Sequence, residues 1–394
     1  MKIYLKKSLL LAAGLVLFAH YPSFAGFKEG ATAYSRGDYE RALREWAPLA
    51  EQGNAAAQQS LALMYSSGHG LSQNDETSVK WHRKAAEQGL ADAENSLGFM
   101  YLMGRGVAQN FDEAFGWFSK AALQGQTQAE CNLGIMYLRG WGVLQDFAEA
   151  FKWFSKGAQK RYAVAENYLG TLYMQGWGVS QDFAQATALF RRAAEQGNAE
   201  AQTNLGTMYF AGLGVLQNDV EAVRWFHLAA DQGHAMAQHN LGLMYGLGRG
   251  VARDQTKAAQ LFRMAAEQGL ARAQVNLAAS YEKALGVPQD YREAAKWYRE
   301  AAEQGVSVAQ LNLGTMYANG AGVPKDNIQA YIWLHLAASY AGTQVERDNA
   351  VQKRSILSQE MTPTEILKAQ KLARSWKIKK TKLTMHDLVN FSIY

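Results

Sequence analysis

NAEAQTNLGTMYFAGLGVLQNDVEAVRWFHLAADQG, residues Asn198 to Gly233, recurs in variant form eight times in succession. From Asn54 to Ala341 the chain is eight blocks of 36 residues with no insertion or deletion. A fixed period of this length marks a solenoid, in which each unit buries its apolar face only against its neighbours. Function is therefore expected on a long shared surface rather than in a single pocket.

Numbering each block from 1 to 36, Ala, Leu, Met and Tyr fall at positions 4, 8, 11 and 12, the spacing of one helical face. Position 4 is Ala in every block, from Ala57 to Ala309, and position 12 is always Tyr, from Tyr65 to Tyr317. Position 9 is Gly in six blocks, at a helix cost of about 1 kcal/mol each, which predicts close helix contact. The G-x-G-V segment, as in Gly140 to Val143, ends this helix A with residues free to adopt positive φ. It follows a helix rather than a strand and recurs eight times, so it is not read as a phosphate loop. Asp146, Asp182, Asp254, Asp290 and Asp326, with Asn in the other blocks, supply N-caps for a second helix B. Trp81, Trp117, Trp153, Trp225, Trp297 and Trp333 share position 28 of the block and are read as core. Gln-Gly then stops helix B.

The ends differ in kind. Lys2, Lys6 and Lys7 precede an apolar run from Leu9 to Phe18, and Ser23-Phe24-Ala25 sets small residues before a cut. Residues 1–25 read as a secretory signal peptide cleaved after Ala25, the run being too short to span a bilayer. The mature chain is then expected to have no integral membrane segment, in a periplasmic or secreted location. Cys131 is the sole cysteine, so the fold must hold without disulfides. Of the formal net charge of +5, three belong to the signal and five to residues 342–394, leaving the body at −3. Such a body offers no basic surface for nucleic acid.

The motif A-x-A-Q-x-N-L-G-x-M-Y-x-x-G-x-G-V, followed by A-x-x-W-F-x-x-A-A-E-Q-G, resembles the Sel-1-like repeat, a relative of the tetratricopeptide repeat. The resemblance covers the eight blocks, and a shortened unit over 26–53 adds a helix pair ahead of them. It implies an all-α, right-handed superhelical solenoid of antiparallel helix pairs, with helix A on the concave side. It also implies a protein-binding adaptor without chemistry, as in exported bacterial members. Departures stand out: Arg161 replaces a closing Gly, and Ala278, Ser280 and Ala284 make the seventh block irregular. Past Ala341, residues 342–377 read as capping helices, with Thr362-Pro363-Thr364-Glu365 as an N-terminal capping box. Residues 378–394 read as a solvated basic tail.

Specificity in such a chain is written at variable positions flanking the constant stripe, here 3, 7, 10 and 14 of helix A. Position 7 holds Asn132, Asn204, Asn240, Asn276 and Asn312, with Ser60, Ser96 and Tyr168 elsewhere. A row of carboxamides can pair with the amides of an extended peptide, so these five are the candidate partner-binding residues. The same recurrence suits bonds that tie one repeat to the next. Phe99, Ile135, Leu243, Arg139 and Lys283 are expected around them.

Catalytic signatures are sparse. There is no H-E-x-x-H, C-x-x-C or G-x-S-x-G, and no cofactor or metal site is expected. Ser280 and Lys283 match Ser-x-x-Lys, but no Ser-Asp-Asn or Lys-Thr-Gly follows. Arg36-Gly37-Asp38 reads as a tight turn between helices. The sequence thus points to an exported, non-enzymatic scaffold with a protein or peptide partner, serving host-cell interaction or envelope assembly. The runner-up is an enzyme or binding protein acting on cell-wall peptides, of the penicillin-binding or β-lactamase kind.

Overall fold

The structure, a computed structural model, describes residues 25–378. The expected signal, apart from Ala25, and the tail after Ile378 lie outside them. Among the described residues there are 20 α-helices and no strand. They form two compact units divided between Gln181 and Asp182, within the fourth block. The first unit runs from α1 (Ala25–Ser35) and α2 (Tyr39–Glu51) through α9 (Ala163–Gln175), and the second from α10 (Phe183–Glu195) to α20 (Pro363–Ser375). Inside each unit, consecutive helices pack in tandem as an all-α solenoid.

Each block folds as the periodicity predicts. Helix A spans 13 residues and ends at a left-handed C-cap, as at Gly212 (φ 68°) and Gly248 (φ 70°). The eight Asn or Asp residues at position 21, from Asn74 to Asp326, each accept a backbone N–H of the following helix B. Position 4 is 0% exposed in all eight blocks, and Leu97, Leu205, Met136 and Met208 behind it are at most 1% exposed. The Tyr hydroxyls find partners: Arg191 donates to Tyr209 at 2.9 Å, and Arg83 and Arg263 do the same to Tyr101 and Tyr281.

In four blocks the position-9 glycine (Gly98, Gly134, Gly206 and Gly242) lies against an aromatic ring, and in the eighth Gly314 lies against Leu334. A Cβ on Gly134 would lie 2.6 Å from the Phe154 ring, and one on Gly242 would lie 2.7 Å from Phe262. The first and seventh blocks carry Ala62 and Ala278 there and hold a different ring opposite, His82 and Tyr298. The irregular seventh block is therefore a specialised contact: buried Tyr298 donates to Glu282 at 2.8 Å, and Ala284 takes φ 56° where other blocks use Gly.

Past the last block, α19 (Gln344–Ser358) and α20 pack on α18 (Asn327–Tyr340), and Thr362 and Glu365 form the capping box. Trp376 closes against Trp333 and Tyr340, with ring centroids 6.0 and 5.8 Å away.

Candidate functional site

Asn132, Asn204, Asn240, Asn276 and Asn312 all sit half-buried on helix A. For Asn132 and Asn276 the partner lies across the repeat boundary, because position 7 of one block faces position 6 of the block before. Asn132 donates to Asn95 at 2.9 Å, and Gln59 donates to Ser96 at 3.3 Å. Asn276 lies 3.0 Å from Nε2 of His239, whose Nδ1 lies 3.2 Å from the Asn240 oxygen. That geometry takes the neutral His239 tautomer with its proton on Nδ1. Burial, reinforced by the charge of Arg272, lowers the His239 pKa against the Asn240 bond. Asn312 pairs with the hydroxyl of Tyr298. Each carboxamide has four hydrogen-bonding sites, so a bond across the repeat boundary does not exhaust it.

The other expected lining residues separate by exposure. Leu243 is 36% exposed and Lys283 is open to solvent, whereas Phe99 and Arg139 are half-buried and Ile135 is buried. Leu247, one turn beyond Leu243, is 64% exposed.

Two polar systems escaped the sequence reading. Position 5 is buried throughout: Gln58, Gln202, Gln238, Gln274 and Gln310 each donate to a backbone carbonyl ending the preceding helix B, as Gln58 does to Ala50 at 3.0 Å. The Gln at position 35 then donates to it, as Gln304 does to Gln274 at 2.8 Å. In the second and third blocks the buried residue is Glu94 or Glu130, met by Gln124 and Lys160 respectively. The second system pairs position 22 with position 16 of the next repeat. His69 stacks on Tyr39, Trp141 on Phe111 and Trp177 on Phe147, while Arg105 meets Asp75 and Arg249 meets Asp219. The signal was present as chemically matched residues 30 apart.

Residues considered for chemistry are committed elsewhere. The Ser280 hydroxyl is buried and donates to the Asn276 carbonyl at 2.9 Å, while Lys283 is exposed. Burial and the charge of Glu130 push the Cys131 thiol pKa up, the opposite of an activated nucleophile. No group of metal-ligating side chains occurs among the described residues, and none of their helices is long and apolar enough to cross a membrane.

His82 is buried, bonded to Gln59 at 2.7 Å, and burial with the charge of Arg105 lowers its pKa to about 3. It stays neutral when folded but protonates near pH 6.5 when unfolded. Its share of stability is therefore present above pH 6.5 and lost as pH falls towards 3, at about 1.4 kcal/mol per unit. His82→Gln is expected to remove about 2 kcal/mol of the stability loss between pH 7 and 5. Urea titration at both pH values reads this, and an unchanged loss counts against it.

The Sel1 repeat pattern matches residues 55–90, 91–126, 127–162, 163–198, 199–234, 235–270, 271–306 and 307–339. No curated protein matches the chain. Among solved structures it is similar to a Sel1 repeat protein from Oxalobacter formigenes, with 34% identity and TM-score 0.55, covering 79% of this chain and 89% of that one. It is also similar to a protective antigen of uropathogenic Escherichia coli strains displaying an SLR fold, with 32% identity and TM-score 0.51. That match covers 89% of this chain and 83% of the antigen. With eight consecutive matched repeats, each folded as a helix pair, the chain belongs to the Sel1 repeat family, whose repeats generally serve protein–protein interaction.

Proposed function

We propose that this protein is an exported, non-enzymatic scaffold that binds a protein or extended peptide along its helix A face, in a bacterial periplasm or outside the cell. Residues 1–25 direct export and are removed. The observation that carries the reading is the exposure of Leu243 and Leu247, 36% and 64%, on α13 (Ala235–Leu247). They follow Asn240 at spacings of three and four and so share its face. Apolar side chains left in water beside carboxamides with spare capacity suit a peptide, whose backbone needs both. The likeness to a protective antigen supports a role at the host interface.

Crosslinking the protein in its native envelope identifies the partner, and titration of that partner then tests the face. Leu247→Asp is expected to weaken binding at least tenfold while lowering the melting temperature only slightly, because the side chain is exposed, an acid in the last helical turn costs only about 0.3–1 kcal/mol, and anchors dominate binding energy. Replacing Asn240 and Asn276 by Ala is expected to lower both affinity and melting temperature. Full affinity in the Leu247→Asp variant overturns the assignment of this face.

A further inference from the structure

We propose that the second unit carries a docking strip along the C-terminal ends of its B helices, and that its occupant is the chain's own basic segment beginning at Lys379. Three observations converge on it.

The first is where the chain leads. After Trp376 the backbone is extended (ψ 141°), and Ile378 fills the space over Gly305, its Cδ1 3.1 Å from where a Cβ would stand. Gly305 ends the seventh block with φ +90°. The equivalent Gly269 and Gly233 of the two preceding blocks have φ +91° and +86°, with nothing over them within 4 Å. Gly305 and Gly269 lie side by side, since Gln304 next to one donates to the carbonyl of the other at 3.1 Å. Packed helices stand about 8–10 Å apart, which an extended chain covers in about three residues. A chain continuing past Ile378 therefore needs about three residues to reach Gly269 and about six to reach Gly233.

The second is charge. A carboxylate in the last turn of a helix opposes the helix dipole. Yet α12 (Asp219–Asp231), α14 (Gln255–Glu267) and α16 (Tyr291–Glu303) each end on one and have no basic residue in that turn. Asp231 and Glu267 are exposed, Glu303 is half-buried, and Glu300 adds a further exposed acid. Asp231 already meets His227 at 3.1 Å and Glu303 has a partner of its own, so the charge offered to the segment is that of Glu267 and Glu300, around which Lys296 meets Glu293, Arg299 meets Tyr317 and Arg263 meets Tyr281. Of the six residues 377–382, four are Lys: Lys377, Lys379, Lys380 and Lys382.

The third is apolar exposure at the same edge. Position 31 is Lys84, Lys120 and Lys156 in the first unit but Leu228 and Met264 here, 42% and 47% exposed. Leu383 and Met385 follow the lysines in sequence, so the segment offers charge and then apolar cover in the order the strip presents them. Seated this way, it shields the acidic edge of the fifth to seventh repeats and competes with any basic partner for it.

Zero-length carbodiimide crosslinking of the full chain at low concentration tests this, with peptide mapping of the monomer band. Links from Lys379, Lys380 or Lys382 to Glu267 or Glu300 are expected, in at least fivefold excess over links to Glu76 and Glu87 of the first unit. Glu267→Lys with Glu300→Lys, both at exposed positions, should abolish them and speed hydrogen exchange of amides 379–384 at least tenfold. Links confined to a dimer band would assign the strip to a second copy and overturn the proposal. So would an even spread over the acids of both units, or exchange that the charge reversals leave unchanged.

Discussion

Gly250→Ala is expected to cost at least about 3 kcal/mol, against about 1 kcal/mol for Gly197→Ala, although both glycines have positive φ. Gly197 has φ +85° with nothing within 4 Å of where a Cβ would stand, so only the left-handed backbone opposes the substitution. Gly250 has φ +67°, and its Cβ would lie 2.2 Å from the Asp219 carbonyl oxygen. A carbonyl fixed at the start of α12 cannot turn aside as a side chain can. The loop must lift, and lifting it strains the paired bonds from Arg249 to the Asp219 carboxylate at 2.9 and 2.7 Å. The chain shows the same ranking internally. Ala284 and Arg161 adopt φ 56° and 61° at positions 15 and 36, while position 17 is Gly in all eight blocks, from Gly70 to Gly322. Urea midpoints and amide exchange in α12 and α13 read the difference. Equal losses in the two variants would mean that the backbone approach does not hold neighbouring repeats together.

This example also marks how far the sequence could be read. The 36-residue period, the N-caps and the Gln-Gly stops were legible because each acts within a few residues of where it is written. The reason for Gly at position 17 was not, because the atom it approaches belongs to a residue 31 positions earlier and is backbone, which leaves no trace in side-chain identity. The recurrence of Asn at position 7 was plain, but its pairing with position 6 of the preceding block needs the knowledge that residues 37 apart lie side by side, as Asn95 and Asn132 do. Gln and Glu at position 5 look like surface residues in the string and are among the most buried polar groups in the fold, Gln310 at 0% and Glu94 at 3%. The exposed Leu243 was expected on the helix A face and is there, whereas Ile135 at the same position is covered.

The pairing of buried Glu130 with Lys160 carries the second large effect. Glu130 is 5% exposed at its side chain, and both its oxygens lie 2.8 Å from Lys160 Nζ, which also donates to the Gly125 carbonyl at 2.8 Å. Four other repeats make the same junction with two carboxamides, as Gln58–Gln88 and Gln274–Gln304 do. Lys160→Met keeps the stem and removes the donors, leaving a carboxylate buried without its charge partner. Loss of one member of a buried pair costs 3–5 kcal/mol, and because Lys160 is 41% exposed the expectation here is about 2 kcal/mol. Lys160→Gln should cost about half as much, since Gln124 already serves Glu94 this way at 2.8 Å. Replacing both Glu130 and Lys160 by Gln rebuilds the junction used elsewhere and should return stability to within about 0.5 kcal/mol of the parent. Glu94 gives an independent arm. Burial raises its pKa against the pull of Lys120 and Gln124, so its folded stability is greatest below the ordinary Glu range and falls as pH rises through the raised value. Glu94→Gln should therefore stabilise at pH 7 and do nothing at pH 4. If Lys160→Met is neutral while the double Gln variant is destabilised, the carboxylate is held by something other than the lysine, and position 5 is not the interchangeable junction that its recurrence implies.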